Sequence, residues 1–264
     1  MRSTDLGGMR RSRRASTRAR PPIRAVSVRN CWGREDIQTD DAQEGEGRRG
    51  RNGKEALVPT MTVHPSRDMW EQRYGAEEYV FGTEPNDFLR EHVGRLGAGK
   101  VLCLAEGEGR NAVFLAENGF DVSSVDLTEA GVAKTLHLAD QRGVVVRAET
   151  GDLAEFDLGE AKWDAIVSIF AHVPRDLRRQ LHRRVVDALV PGGIFLLEAY
   201  TPDQIGRGTG GPQVPELTMT ASELRSELAP LETIFECECV RPVIEGPGHT
   251  GDGAVVQLIA RNAA

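Results

Sequence analysis

A glycine turn between two short apolar runs constrains the fold of this chain more than any other feature. The first run, Val101–Leu104, leads into Gly107 and Gly109. A helix-forming stretch follows, and a second apolar run ends in Asp126. A strand, a tight glycine turn, a helix and a second strand form the nucleotide-binding start of a doubly wound α/β sheet. The sequence therefore predicts an α/β fold of this kind.

The same turn predicts a cofactor that contains adenosine. Glycine is expected at positions 107 and 109 because a ligand must approach the backbone where a Cβ atom would collide. Asp126 follows the second strand, where its carboxylate can accept hydrogen bonds from both ribose hydroxyls. The spacing Gly107-x-Gly109-x-x-Ala112 also fits the dinucleotide fingerprint, so the turn alone leaves NAD and S-adenosylmethionine both open.

The order of the later segments resembles that of the class I S-adenosylmethionine-dependent methyltransferases. Residues 144–149 read as a third strand, followed by Gly151-Asp152-Leu153; a fourth strand at 163–170, an arginine-rich helix and the turn Pro191-Gly192-Gly193 come next. The resemblance covers roughly residues 69–262. It implies a single domain with a seven-stranded, mostly parallel Rossmann-like sheet and S-adenosylmethionine as cofactor. It also implies that Asp152 holds the adenine amino group.

This resemblance assigns the cofactor to the loops that follow the first strands. Many class I enzymes have an acid two residues before the first glycine of the first loop; here Cys103 occupies that position and Ala105 replaces the glycine. Glu106 or Glu108 is then expected to contact the amino group of the cofactor, unless both are solvent-facing acids of the turn. The predicted cofactor-binding residues are Trp70, Phe81, Leu104, Ala105, Glu106, Gly107, Gly109, Asn111, Asp126, Leu127, Asp152 and Leu153.

Two segments are similar to smaller groups of methyltransferases. Gly109-Arg110-Asn111 with residues 115–122 resembles the bacterial tellurite-resistance enzymes, and residues 70–74 with 81–85 resemble the thiopurine methyltransferase group. Both groups act on small soft nucleophiles, so the resemblance implies a thiol or another chalcogen compound as methyl acceptor. In such enzymes the segment before the first helix folds over the cofactor. Trp70 and Phe81 would then face the sulfonium through cation–π contacts, or else pack in the core.

Two histidines are candidate catalytic residues. His172 follows the predicted fourth strand, and His249 lies in the turn 246–251 before the last strand, near a histidine of the tellurite-type enzymes. A histidine near pH 7 can accept a thiol proton or pair with an anionic substrate. Thr250 stands where those relatives have an arginine, which argues against a tellurite oxyanion as acceptor. A purely structural role is the alternative for each histidine.

The distribution of charge favours a small-molecule substrate. Residues 1–60 contain 14 basic and 8 acidic residues, whereas residues 61–264 contain 19 basic and 32 acidic residues. Phosphate binding needs clustered positive charge, so an acidic body argues against a nucleic-acid partner. No apolar run reaches the about 20 residues that span a membrane. The four scattered cysteines offer too few ligands to predict a metal site. A monomer without nucleic-acid, membrane or metal partners is predicted.

Residues 1–60 are predicted to be a disordered basic extension of a methyltransferase domain at 61–264, because they are polar and aperiodic. Their arginines and serines are also typical of an organelle transit peptide or of a basic tail for nucleic acid. A start of translation placed too early is the preferred interpretation, since globular patterning begins at Met69. The predicted location is the cytoplasm, with an organelle as the alternative.

Local signals predict individual helices. Thr128 is expected to begin a helix that runs to about Gln141, with Gly143 ending it, and a further helix is expected over residues 176–189. The arginines of that helix are interpreted as a solvated face; they are Arg175, Arg178, Arg179, Arg183 and Arg184.

The preferred function is thus methyl transfer from S-adenosylmethionine to a thiol or another soft nucleophile. An NAD-dependent oxidoreductase is a second possibility, against which no Tyr-x-x-x-Lys motif follows the fourth strand. A non-catalytic S-adenosylmethionine-binding protein is the third.

Overall fold

A computed structural model describes residues 66–263, and the predictions made for residues 1–60 lie outside this part of the chain. Seven strands form one sheet in the order β3-β2-β1-β4-β5-β7-β6. The strands are β1 (Lys100–Leu104), β2 (Asp121–Asp126), β3 (Val146–Thr150), β4 (Trp163–Ile169), β5 (Leu189–Tyr200), β6 (Glu232–Glu245) and β7 (His249–Arg261). The helices are α1 (Arg67–Tyr74), α2 (Asp87–His92), α3 (Arg110–Glu117), α4 (Glu129–Arg142), α5 (Arg175–Ala188) and α6 (Ala221–Glu227).

The predicted seven-stranded, mostly parallel Rossmann-like sheet is confirmed. Strands β1 to β5 pair in parallel, and only β7 runs antiparallel to its neighbours β5 and β6. The chain passes from β1 outward to β2 and β3 and then returns to place β4 on the other side of β1. Open α/β sheets bind ligands beyond the carboxyl ends of their strands at such a reversal. The fold therefore predicts a ligand site at the loops after β1, β2 and β4.

Alternating side chains of the strands form a core on each face of the sheet. Leu102 and Leu104 of β1 pack in one cluster with α5 and α6, whereas Val101 and Cys103 pack in the other with α2, α3 and α4. The period of two residues along a strand produces this division. Both faces of β1 are thus buried, as expected for a central parallel strand.

Several sequence signals for helix ends are confirmed. The hydroxyl of Thr128 accepts a hydrogen bond from the backbone N–H of Gly131 at the start of α4, and Gly143 ends the helix in the left-handed conformation. Strand β3 begins two residues later than predicted. The predicted turn 246–251 is shorter than expected, because β6 and β7 form a long hairpin in which Glu245 pairs with His249. His249 therefore begins a strand instead of lying within a turn.

The prediction of a solvated arginine face on α5 is wrong for Arg178. Its side chain is fully buried, and its guanidinium donates to Glu227 of α6 through Nε (2.9 Å to Oε2) and Nη2 (2.7 Å to Oε1). Glu227 also accepts from Nδ1 of His182 at 2.8 Å. Because α6 packs across α5 at this point, the arginine meets a carboxylate instead of water.

Candidate active site

The glycine turn after β1 is shaped by its own backbone and by nearby helices. Gly107 and Gly109 have φ values of 68° and 95°, in the left-handed region. A Cβ atom at Gly107 would lie 2.9 Å from the hydroxyl of Tyr74, and one at Gly109 would lie 2.6 Å from the Cα of Thr135. Close protein neighbours thus account for the glycines, and the predicted close approach of a ligand is not needed to explain them.

Glu106 lies at the start of α3 and is not a solvent-facing acid. One carboxylate oxygen accepts hydrogen bonds from the backbone N–H groups of Asn111 and Ala112, at 2.9 and 2.8 Å. Burial raises the pKa of Glu106 to about 7, even though these hydrogen bonds favour its charged form. The side-chain oxygen of Asn111 accepts from the backbone N–H of Asn86 at 3.0 Å, so it supports the turn from the protein side.

Asp126 joins the glycine turn to the start of α4. Its Oδ2 atom accepts from the backbone N–H of Gly107 at 2.8 Å, and Oδ1 accepts from the N–H and the hydroxyl of Thr128 at 2.9 and 2.7 Å. The residue is 7% exposed. A carboxylate has about four lone-pair positions, so three bonds leave acceptor capacity for a ribose hydroxyl. Asp126 therefore fits the adenosine half of a cofactor.

The ends of β2 and β3 place the other predicted adenosine residues beside Asp126. The N–H of Gly151 donates to the backbone oxygen of Asp126 at 2.8 Å. Asp152 is exposed, and one of its oxygens accepts from Ala154 N–H at 2.8 Å. Leu153 is buried in the same core cluster as Leu104, and Leu127 is half-buried. An exposed carboxylate beside apolar side chains suits an adenine ring with its amino group.

Glu108 fastens the amino-terminal segment to the glycine turn. One oxygen accepts from the N–H groups of Val80 and Phe81 at 2.8 and 3.3 Å, and the other pairs with Nζ of Lys134 at 2.8 Å. These contacts commit Glu108 to protein partners, so Glu106 is the acid left for the amino group of a cofactor. Contact between Glu106 and a cofactor stays a prediction.

The segment held by Glu108 carries the two aromatic residues predicted to face the cofactor. Trp70 of α1 stacks on Tyr74 with ring centroids 5.3 Å apart and lies 6.3 Å from Phe81. Phe81 in turn lies 4.5 Å from the ring of His249. The structure therefore brings Trp70 and Phe81 close to one candidate catalytic histidine. Their contact with a cofactor stays a prediction.

Five rings, which we name the ring cluster, meet beyond the ends of β4 and β5. Phe170, His172 and Tyr200 stack on one another, with centroids 4.6 Å apart for Phe170 and Tyr200 and 5.5 Å apart for His172 and Tyr200. His249 lies edge-on to Phe170 at 5.0 Å and to Tyr200 at 5.4 Å. Phe81 completes the cluster. Both predicted histidines thus lie in one site, although 77 positions separate them in the sequence.

The contacts of His172 determine which of its nitrogens carries the proton. Nδ1 lies 2.8 Å from the backbone oxygen of Leu217, which can only accept, so Nδ1 donates and Nε2 presents a lone pair. Nε2 is buried without a hydrogen-bond partner among residues 66–263. Burial lowers the pKa of His172 to about 4. His172 is therefore a neutral acceptor near pH 7.

Beside His249 lies a buried group of charged and polar residues, which we name the carboxylate network. Glu245 accepts from Arg110 at 2.6 Å, and Glu198 accepts from Arg241 at 2.7 and 2.8 Å. One amide nitrogen of Asn86 donates to both carboxylates, at 2.5 Å to Glu198 and 2.8 Å to Glu245. Burial alone would raise the pKa of Glu245, but His249, Arg110 and Arg241 hold it at about 2.

The sequence patterns do not predict this network or Tyr200 as part of the site. Two of its members carried a signal. Arg110 belongs to the Gly-Arg-Asn motif, and Asn86 stands directly before α2, where its Oδ1 accepts from Leu89 N–H as an amino-terminal cap. Glu198, Arg241 and Glu245 lie in strands, where nothing in the local pattern distinguishes them from surface residues.

No group of three or more His, Cys, Asp or Glu side chains within residues 66–263 has a geometry that could hold a metal ion. No helix in the same range is long and apolar enough to cross a membrane.

Comparison with known sequences identifies related domains. Residues 101–193 match the family model of a methyltransferase domain. The chain is 30% identical over 124 residues to a glycine/sarcosine N-methyltransferase of Halorhodospira halochloris, covering 45% of this chain and 46% of that protein. A glycine/sarcosine N-methyltransferase of Aphanothece halophytica is 28% identical over 142 residues, covering 52% and 50%. The chain therefore spans about half the length of these curated relatives.

Solved structures share the fold at low sequence identity. TehB from Haemophilus influenzae matches with a TM-score of 0.55 and 20% identity, covering 74% of this chain and 66% of that one. The N-methyltransferase NodS from Bradyrhizobium japonicum WM9, solved with S-adenosyl-L-homocysteine, matches with a TM-score of 0.56 and 16% identity, covering 75% and 98%. At identities this low, the two structural matches establish a common fold and nothing further.

Proposed function

We propose that the protein methylates a small soft nucleophile, because residues 101–193 match a methyltransferase-domain model and the fold is shared with the methyltransferase NodS. The proposed acceptor is a thiol or another chalcogen compound, and the proposed methyl donor is S-adenosylmethionine. The observation that carries the proposal is the ring cluster, which places Phe81, Phe170 and Tyr200 around His249 beside the glycine turn.

An enclosure of rings suits both partners of such a reaction. A ring face attracts the positive charge of a sulfonium through its quadrupole. Sulfur is polarisable and makes favourable contacts with aromatic rings at about 5 Å. The rings also exclude water, which would otherwise solvate a thiolate and make it less reactive. We infer that the ring cluster would hold the acceptor sulfur and shield it from water.

The residues of the chain have distinct roles in this proposal. Bound S-adenosylmethionine supplies a methyl group activated by its sulfonium. Asp126 and Asp152 orient the adenosine half, and Glu106 receives the amino group at the other end. Trp70 and Phe81 cover the bound molecule. In-line positioning of two reactants supplies most of the rate enhancement when the nucleophile needs little activation.

His249 is better placed than His172 to take the proton of the acceptor. A free thiol has a pKa of about 8.5, so its proton must leave before or during attack at neutral pH. Oε2 of Glu245 lies 3.9 Å from Nδ1 of His249, so a carboxylate faces the ring that would receive the proton. His172 has a pKa of about 4 and is too weak a base for this task. We assign it a positioning role, as a hydrogen-bond acceptor.

Amine methylation is the second candidate, because two of the curated relatives that match are N-methyltransferases. An alkyl amine has a pKa of about 10 and is protonated at pH 7, so it depends on a base more strictly than a thiol does. The same site could accept either nucleophile by geometry. The two candidates differ in whether the acceptor is partly deprotonated in solution.

Binding and turnover measurements test the proposal directly. In titration calorimetry, we expect S-adenosylhomocysteine to bind with micromolar or tighter affinity and NAD to give no heat of binding. With labelled S-adenosylmethionine, small thiols should be methylated faster than amines of the same size. Binding of NAD instead of S-adenosylhomocysteine would reject the proposal, and faster methylation of the amines would select the second candidate.

The variant His249→Ala tests the proposed base. We expect the thiol methylation rate to fall about 10- to 30-fold at pH 7, because only about 3% of a thiol with a pKa of about 8.5 is ionised at that pH. The loss should shrink above pH 8.5, where free thiolate is abundant. His137→Ala serves as the control because His137 is exposed on α4. Parallel pH profiles of the His249 variant and the parent protein would show that His249 has only a structural role.

A further inference from the structure

We propose that the methyl acceptor carries a carboxylate group and that Nη1 of Arg110 binds it. This inference rests on the proposed function and narrows its substrate class. It starts from a buried cation whose hydrogen-bonding capacity is only partly used.

Arg110 is the first residue of α3, and its side chain is 8% exposed. Nη2 donates to Glu245 at 2.6 Å, whereas Nη1 is buried and has no hydrogen-bond partner among residues 66–263. A guanidinium has five N–H donors and no acceptor, so only an acceptor atom can satisfy Nη1. Buried polar atoms without a partner are rare in proteins, and such an atom commonly has a functional role or binds a water or an ion.

Three further unpartnered polar atoms lie in the ring cluster. Nδ1 of His249, Nε2 of His172 and the hydroxyl of Tyr200 are buried without hydrogen-bond partners in the described residues. Glu245 connects His249 to Arg110, because its Oε2 atom lies 2.6 Å from Arg110 Nη2 and 3.9 Å from His249 Nδ1. Burial raises the pKa of Tyr200; the charge of Glu245 raises it further, and the charge of Arg110 lowers it. An oxygen bound at Nη1 would therefore belong to a molecule that reaches the ring cluster.

The other arginine of the carboxylate network, Arg241, differs from Arg110 because each of its guanidinium nitrogens donates a hydrogen bond. Its Nε and Nη2 atoms donate to Glu198, and Nη1 donates to the backbone oxygen of Pro242 at 2.8 Å. All three nitrogens of Arg241 are thus in use, although both guanidiniums belong to one network.

The charge of the network permits an anionic acceptor. Arg110 and Arg241 balance Glu198 and Glu245, so the network is neutral as a unit. The sulfonium of a bound cofactor would add a positive charge nearby. A carboxylate also matches the planar geometry of a guanidinium better than a single neutral oxygen does.

The carboxylate at Nη1 could come from the acceptor or from the methionine half of the cofactor. The link from Arg110 through Glu245 to His249 favours the acceptor, since His249 is the proposed base. The two sources make opposite predictions for the affinity of S-adenosylhomocysteine, and a binding experiment distinguishes them.

The experiment compares matched carboxylate and amide ligands by calorimetry, with and without saturating S-adenosylhomocysteine. The probes are 3-mercaptopropionate against 3-mercaptopropionamide, and glycine against glycinamide. The parent protein should bind the carboxylate member of at least one pair tenfold or more tightly. Arg110→Lys keeps a cation beside Glu245 but removes the second nitrogen, and should reduce that preference to about twofold or less.

Arg241→Lys is the control, because it makes the same change in the same network without removing an unpartnered donor. It should keep the preference for carboxylate, and thermal melting establishes that each variant folds.

If the parent protein shows no preference, or Arg241→Lys loses it equally, the inference is wrong. Weakened S-adenosylhomocysteine binding in Arg110→Lys assigns the nitrogen to the cofactor and also overturns it. A preference for glycine alone would reject the thiol acceptor and leave the carboxylate inference intact, whereas failure to bind S-adenosylhomocysteine rejects the proposed function itself.

Discussion

Glu227→Gln is expected to lower the melting temperature by about 10 °C, because it removes the closest counter-charge of a buried guanidinium and leaves it only Glu223, at 3.6 Å. Arg178 is fully buried and Glu227 is 5% exposed, and their closest N–O distance is 2.7 Å. Removing one partner of a buried ion pair typically costs about 3–5 kcal/mol of the free energy of unfolding. In a domain of about 200 residues, each kcal/mol shifts the melting temperature by about 2–4 °C. Thermal melting followed by circular dichroism at pH 7 measures this effect.

The same substitution at Glu232 is the control, since Glu232 forms an exposed ion pair with Arg261 at 2.6 Å. An exposed pair contributes about 0–1 kcal/mol, so Glu232→Gln should shift melting by at most a few degrees. Equal shifts in the two variants would mean that the buried pair contributes no more than the exposed one.

The effect of Glu227→Gln should also depend on pH. Although burial opposes it, hydrogen bonds from His182 and Arg178 hold the pKa of Glu227 at about 2. A carboxyl whose pKa is depressed by folding stabilises the protein above its unfolded pKa of about 4.5, and this stabilisation is lost as the pH falls towards 2. The difference between the parent and variant proteins should therefore be complete at pH 7 and shrink below pH 4.5.

Sequence patterns predicted those parts of the fold that local physics determines. The glycine turn, the strand that ends in Asp126 and the cap of α4 at Thr128 each depend on residues within a few positions of one another. The periodicity of α5 likewise defined the helix correctly within one residue at each end. Where propensity, capping and hydrophobic period agree, the sequence alone identifies the element.

Contacts between distant residues could not be predicted in this way. Arg178 lies on a face rich in arginine, and only its meeting with Glu227, 49 positions away, makes it a buried residue. Glu245 is paired with Arg110 across 135 positions and with Asn86 across 159. Single-sequence patterns place a charge on a face of an element but do not identify the element that covers it. For this reason the carboxylate network could not be predicted from the sequence.

These distant contacts also connect the stability of the α5–α6 contact to the site. Nη1 of Arg178 donates to the backbone oxygen of Thr218 at 2.8 Å, and the neighbouring Leu217 oxygen accepts from His172. The buried arginine therefore helps to position the carbonyl that sets the tautomer of His172. Arg178, which the sequence assigns to a solvated face, therefore supports the ring cluster through His172.

Asp126→Ala is expected to weaken S-adenosylhomocysteine binding by about 10- to 100-fold. We predict that the carboxylate accepts hydrogen bonds from the ribose, and bonds to a charged acceptor contribute about 1.5–3 kcal/mol. Each 1.4 kcal/mol corresponds to a tenfold change in the dissociation constant. Titration calorimetry with S-adenosylhomocysteine measures the change.

A loss of affinity in Asp126→Ala could come from a lost ligand contact or from a loosened glycine turn, and a second variant distinguishes the two causes. Asp126 also holds the N–H of Gly107 and both donors of Thr128, so its removal loosens the glycine turn. Thr128→Ala removes a hydrogen bond to the same carboxylate and the cap of α4, but leaves the carboxylate in place. It should lower stability by about 1 kcal/mol and keep nearly the affinity of the parent protein. If both variants lose affinity equally, Asp126 acts by supporting the turn; if only Asp126→Ala does, the carboxylate itself binds the ligand.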